Sequence, residues 1–121
     1  MKKLGIIKVT EEKIVFSDDS YISFYHEPDC CEDNYADFCQ LDDIARASVY
    51  TLPLKFESCE GGFRFGDRYR MYFVPCYSAQ NGYYSSDIDV YYSTPVRRDD
   101  GNIETWVTKH VLNTECEWLM C

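Results

Sequence analysis

The sequence is short of positive charge. Twelve lysines and arginines stand against 21 acids, a formal net charge of −9 over 121 residues. A duplex-binding surface gains affinity by neutralising phosphates, so this balance argues against nucleic acid and against an anionic membrane. Any apolar run of membrane-spanning length is also lacking. The opening "MKKLGIIKVTEEK" starts with two lysines, but Lys8 breaks its apolar stretch too early for a signal-peptide core. A cytoplasmic protein is the expectation. No C-x-x-C pair occurs among the seven cysteines, and His26 with Cys30 has no second matching unit, so no metal site is expected. An odd cysteine count without a secretory signal argues for reduced thiols.

The usual marks of catalysis are missing too. There is no P-loop, GxGxxG or GxSxG motif. The two histidines, His26 and His110, are not set beside a cysteine by anything local. Asp87 and Asp89 alternate with Ile88 and Val90, which reads as a solvated strand face before it reads as a carboxylate pair. Neither a catalytic residue nor a cofactor is expected.

What the chain has in quantity is tyrosine, 11 of its 20 aromatic residues. With 45% hydrophobic residues the composition excludes disorder, and 121 residues make one domain, 1–121. Tyrosine bodies are apolar and their hydroxyls need partners when buried, so this excess suits interfaces or a ligand pocket as well as a core. Tyr83–Tyr84 and Tyr91–Tyr92 are adjacent pairs. On a strand, one member of each enters the core and the other faces outward.

"KLGIIKV", "KIVFS" and "YISFYH" alternate as three strands of an antiparallel meander. In "YADFCQLDDIARA", Tyr35, Phe38, Leu41, Ile44 and Ala45 recur at helical spacing, which predicts a three-turn helix capped by Asp33 or Asn34. "SVYTLPLKFE" is strand-like, with Pro53 keeping it to an edge or an irregular pairing. "FRFGDRYRMYFVPCYS" predicts a hairpin turning at Gly66–Asp67. Its far arm would set Arg68, Arg70 and Tyr72 on a basic face against Tyr69, Met71 and Phe73 on an apolar one. Asn81–Gly82 is a further turn, and "YYSSDIDVYYST" returns as a strand. The tail "IETWVTKHVLNTECEWLMC" shows a helical stripe (Ile103, Trp106, Val107, His110, Val111) against β-branched content that favours strand. Helix is the expectation there. The fold class predicted is α+β, an antiparallel β-sheet with one or two packed helices.

Binding is better supported than catalysis. Arg64, Arg68, Arg70, Asn81, several tyrosines and the Arg97–Arg98 pair fall within one stretch of the chain. Arginine forks suit phosphate oxygens, aromatic rings suit a base, and asparagine pairs with an adenine edge. The plainer reading is a solvated basic face neutralised by neighbouring acids.

"DCCE" (Asp29–Glu32) after a strand, followed by "NGYYSSDIDVYY" (Asn81–Tyr92), resembles a family of small phage and bacterial proteins. The layout to about Arg98 looks like the phage-encoded Thoeris anti-defence proteins of the first type. The resemblance implies a sponge that sequesters glycocyclic ADP-ribose signals without cleaving them, and for some members cyclic oligonucleotides at a separate site. It implies a cytoplasmic protein of the infected host and a homo-oligomer, dimers or assemblies of dimers, with pockets between subunits. Carried over, Asn81 would hold base or ribose, Arg97 or Arg98 the diphosphate, and Phe73 would stack. Tyr83, Tyr84 and Arg70 complete the expected ligand set. One stack gives roughly 1–3 kcal/mol and two charged contacts roughly 1.5–3 kcal/mol each, short of the roughly 12 kcal/mol of nanomolar binding. A second chain closing the pocket would supply the rest. The rival reading is an acidic protein–protein inhibitor imitating nucleic acid through "EPDCCEDNYAD" and "QLDD". A small enzyme degrading the signal comes third.

Overall fold

The chain opens with the three strands that its alternation predicts: β1 (Lys3–Val9), β2 (Lys13–Phe16) and β3 (Tyr21–Tyr25). Thr10 closes the first turn, its hydroxyl accepting from the amides of Glu12 and Lys13. Asp19 turns the second, with a φ of 70°. The inward members Ile14, Phe16 and Ile22 are fully buried. The computed structural model describes residues 3–26, 33–80 and 86–120.

The predicted helix over Tyr35–Ala45 is not formed. Instead come β4 (Asp33–Ala36), a 3-10 turn (Phe38–Gln40) and a five-residue helix α1 (Asp43–Ala47). The backbone of β4 pairs with a later strand, Tyr35 opposite Tyr77 and Ala36 opposite Cys76, so these residues cannot also be helical. Phe38, Leu41 and Ala45 still reach the core, but from a bent path rather than one helix face. The cap is Asp42, which accepts from Ile44 N at 2.9 Å. Asn34, expected as a cap, is buried and bridges strands, its amide donating to Asp87 O and its carbonyl accepting from Ser78.

The chain continues as β5 (Val49–Thr51), β6 (Lys55–Cys59), β7 (Gly62–Gly66), β8 (Met71–Gln80), β9 (Asp87–Arg97), β10 (Ile103–Glu115) and β11 (Glu117–Met120). The tail is therefore strand, which corrects the second expected helix. β10 runs antiparallel to β9 from Ile103 opposite Arg97 to Glu115 opposite Asp87. With 66% of the described residues in strand and 8% helical, the fold class is all-β rather than α+β. No helix among the described residues is long and apolar enough to cross a membrane.

Two sheets enclose one core. The first has the order β10-β9-β3-β2-β1-β5; in the second, β11-β8-β7-β6, β4 pairs with β8. The one parallel pairing among them joins β11 to β8. Phe16 from the first sheet meets Phe65 from the second edge-on at 6.3 Å, and Tyr50 at 6.1 Å. Tyr50 is buried, and its hydroxyl donates to Ala45 O at 2.6 Å, which fixes α1 over that end of the core. On β8, Val74, Cys76 and Ser78 are buried and Tyr72 packs edge-on against Tyr50, while Phe73 is exposed. Arg68 and Arg70 precede the strand, in the loop, so the predicted basic face does not form on β8.

That loop is anchored by one carboxylate. Gly66 lets the hairpin close, since a Cβ there would stand 2.1 Å from Arg70 O. Asp67, only 3% exposed, accepts from the amides of Thr51 (2.7 Å), Tyr69 (2.9 Å) and Arg70 (3.1 Å). Burial raises its pKa, but the three amide bonds outweigh it and hold the carboxyl below its ordinary value. Because the folded pKa is lowered, this stability is full above the ordinary carboxylate range and is lost as pH falls through the folded value. Asp67→Asn should lower unfolding free energy by about 2–4 kcal/mol at neutral pH. Denaturant titrations against pH should also show a flatter acid limb below about pH 4 for the variant.

Candidate functional site

Past Ser93 the pairing of β9 with β3 ends and β9 is paired with β10 alone, so residues 94–97 and 103–107 form a two-stranded arm. Its tip is closed by Arg98 N donating to Asn102 O (2.8 Å) and Gly101 N donating to Arg98 O (3.0 Å), with Gly101 at φ 85°. Asp100 caps the turn by accepting from the Asn102 amide. Arg97 ties the arm back to the body: its guanidinium meets Asp19 Oδ2 at 2.6 Å, Asp18 O at 3.1 Å and Gly101 O at 3.3 Å.

Between this arm and the β5–β6 connection lies an open cleft of about 960 Å³. Its floor is apolar, from Leu52, Leu54, Phe56, Tyr92 and Val111, with Arg97 and Lys109 as its cations and Asp18 as its acid. The rings of Phe56 and Tyr92 are 6.0 Å apart and tilted by 48°. Tyr92 also touches Phe16, so the floor continues into the core. Its hydroxyl donates to Ser20 Oγ at 2.8 Å, and burial pushes its pKa up, which keeps it a neutral phenol. His110 borders the cleft, but its ring is held by Asp89 at 3.1 Å and lies edge-on to Tyr91. The adjacent tyrosines thus divide: Tyr92 packs on the core side, Tyr91 on the outer face.

Of the residues expected to bind ligand, Arg97 lines this cleft. Arg98 is exposed in the hairpin turn. Arg70 lines a different cleft of about 800 Å³ with Lys3, Ile44 and Tyr69. There its charge is held by the Tyr72 hydroxyl, which raises the arginine's pKa and lowers that of Tyr72, whose first partner is Ser48. Phe73 lies in a third cleft with Met71, Tyr77 and Glu117. Asn81, Tyr83 and Tyr84 lie outside the described residues. Within one chain, Arg70, Phe73 and Arg97 are therefore not brought together.

The remaining arginines are taken up locally. Arg64 pairs with Glu57 across β6 and β7 at 2.6 Å, and Arg68 lies over the Tyr69 ring. Asp87 and Asp89 accept from Asn113, as a solvated strand face does. Cys39, Cys59, Cys76 and Cys116 are free thiols, the last two buried. Among the described residues no group of three or more metal-ligating side chains converges. Lys109, Phe56 and Tyr92 were not singled out as ligand residues from the sequence. The signal for Tyr92 was its place on the inward parity of β9. For Lys109 and Phe56 the apposition is purely tertiary.

The chain matches no family model, and neither a curated protein nor a solved structure resembles it closely enough to count. The likeness drawn above rests on its quoted motifs, of which Asp29–Glu32 and residues 81–85 lie outside the described residues. What the fold and site define is a two-sheet all-β domain with a cationic, aromatic-floored cleft under a hairpin arm.

The Arg97–Asp19 pair is exposed on both sides, so it should hold the arm's position more than it adds stability. A double-mutant cycle on Arg97→Ala and Asp19→Ala should return a coupling of about 0.2–1 kcal/mol that shrinks in high salt.

Proposed function

We propose that the protein is a non-catalytic binding protein for a small anion carrying a flat ring system, and that a nucleotide-derived signal is the class it takes. The observation that carries this is the cleft whose lining joins Arg97 and Lys109 to the Phe56–Tyr92 ring pair. Guanidinium and ammonium groups suit phosphate oxygens, while the aromatic and aliphatic floor suits a base. At about 960 Å³ the cleft is large enough for a dinucleotide-sized molecule.

Sequestration fits better than turnover. The one phenol on the floor is spent on Ser20, and the imidazole at the border is turned to Asp89. Neither is set against a nucleophile in the cleft. Capture of a cyclic ADP-ribose-type signal, in the manner of a sponge, agrees with this chemistry and with the tyrosine-rich sequence. The cleft is open, so the affinity of a sponge asks for a further wall, which a second copy would provide.

A thermal-shift panel of cyclic ADP-ribose isomers and cyclic di- and trinucleotides tests the reading. A true ligand at 1,000 times its dissociation constant should add about 4 kcal/mol, a melting shift of several degrees, and should be recovered intact after boiling. Lys109→Ala should weaken that ligand about tenfold or more without moving the apo melting temperature. Asp19→Ala should strengthen it, by removing the acid that competes for Arg97. A flat panel, or ligand recovered cleaved, would sink the proposal. Capture of a basic protein with steep salt dependence would favour the acidic-inhibitor alternative instead.

A further inference from the structure

Edge strands expose unpaired amides and carbonyls, and proteins usually blunt them by shortness, charge or proline. Three edges here follow that rule. β5 has three residues and runs into Pro53, β4 has four, and β6 carries Lys55 and Glu57. β10 does not follow it. It is thirteen residues long, contains no proline and ends the first sheet; β6 and β7 meet it at Thr114, but among the described residues no strand pairs with its outer side over Thr105–His110. Every residue from Ile103 to His110 is exposed, Val107 by 52% and Trp106 by 41%. Register shifts at Ile103/Thr105 and His110/Leu112 bracket a regular window, Thr105–His110.

Electrostatics says what can cover this edge. Residues 94–113 hold three cations (Arg97, Arg98, Lys109) and three acids (Asp99, Asp100, Glu104) and sum to zero, while the base of the hairpin adds Asp87, Asp89 and Glu115, so the outer part of β10 is the least acidic stretch of this edge. A second copy, itself strongly acidic, meets least repulsion at this arm.

We infer that β10 pairs antiparallel with β10 of a second copy across a two-fold axis through Val107, which joins the two six-stranded sheets into one. A two-fold axis normal to a sheet keeps each face on its own side, so the axis must pass through a residue position rather than between two. Centring it on Lys109 or Glu104 would set like charges directly opposite, which is unfavourable. Centring it on Val107 keeps the contact within the bracketed window. Trp106 then lies opposite Thr108 of the second copy, and Thr105 opposite its Lys109. Val96 and Ile103 flank the ladder, and with Trp106, whose ring rests on Tyr21 but stays 41% exposed, they supply the apolar contact that a specific interface of about 1,200–2,000 Å² requires. This pairing needs no ligand, so the apo protein carries the test and a failed ligand panel leaves it standing.

Sedimentation equilibrium of the full chain in reducing buffer should show a dimer at low micromolar concentration. Val107→Lys sets two ammonium groups face to face and should raise the dimer dissociation constant at least 100-fold. Its melting temperature, read at a concentration where wild type is dissociated, should not change. Val107→Glu should do the same, and an equimolar mixture of the two variants should restore the dimer. A wild type that stays monomeric at about 100 μM, weaker than any interface of that size, overturns the inference. So does a dimer untouched by Val107→Lys. A mixture that remains monomeric overturns the placement of Val107 on the axis.

Discussion

Phe16 touches three other rings: Tyr50 at 6.1 Å, Phe65 at 6.3 Å and Tyr92 at 6.3 Å. Each ring comes from a different strand, and Phe65 belongs to the opposite sheet. The fastening of one sheet to the other runs through this junction, since neither sheet buries its apolar face alone. All three contacts are edge-on, the geometry that favours aromatic pairs beyond their buried area. Tyr50 carries the junction's order outward to Ala45 and so to α1. Tyr92 carries it to Phe56 and the cleft floor. The cleft floor is thus continuous with the core, whereas the arm is held to the body by the polar contacts of Arg97 and by Trp106 against the Tyr21 ring at 5.3 Å.

This explains why the candidate site lies where it does. The floor residues pack against the core, and Tyr92 among them rests directly on Phe16. Of the cations, Arg97 sits near the tip of the hairpin on its exposed bridge to Asp19, and Lys109 stands on β10 opposite Tyr92, with its side chain exposed. The apolar floor is thus fixed by packing and the charged wall by exposed polar contacts. The loop residue Asp67 serves the other end of the molecule in a comparable way, replacing water with three fixed amides.

The strands whose apolar residues alternate were legible in the sequence: β1, β2 and β3, the hairpin at Gly66–Asp67, and β9. Period-2 patterning reports burial directly, and there it had no competitor. The two helices failed for different reasons. Phe38, Leu41 and Ala45 are spaced as on a helix, but they reach the core from a turn and a short helix after β4 has paired with β8. The count was right and the backbone path was not. In the tail, Asp100–Gly101 was a hairpin signal between two β-branched runs, and it deserved more weight than a stripe of five residues. Of the site, Arg97 alone was legible, because guanidinium chemistry is local to the residue. The floor was not, since Leu52 comes from the β5–β6 connection and Phe56 and Tyr92 from strands of different sheets, an apposition no spacing encodes.

Charge sets the last constraint. At physiological ionic strength, fields decay over about 8 Å, so a net −9 acts on a partner only near the acids that carry it. Beyond that range the molecule is nearly neutral to an approaching anion or to another copy of itself. Close up, the outer part of the hairpin, residues 94–113, offers as many cations as acids. Arg97 and Lys109 project from the arm's two strands, and the edge of β10 is one side of the same hairpin. An anionic ligand and a second acidic subunit are thus directed to the same element by the same electrostatic argument. If both engage it, the subunit that pairs along β10 comes to rest beside the open wall of the cleft. A wall from that copy would remove water around Lys109 and raise the effective strength of its charge. Assembly and ligand affinity would then be coupled through a single hairpin, without either requiring a change in the core behind it.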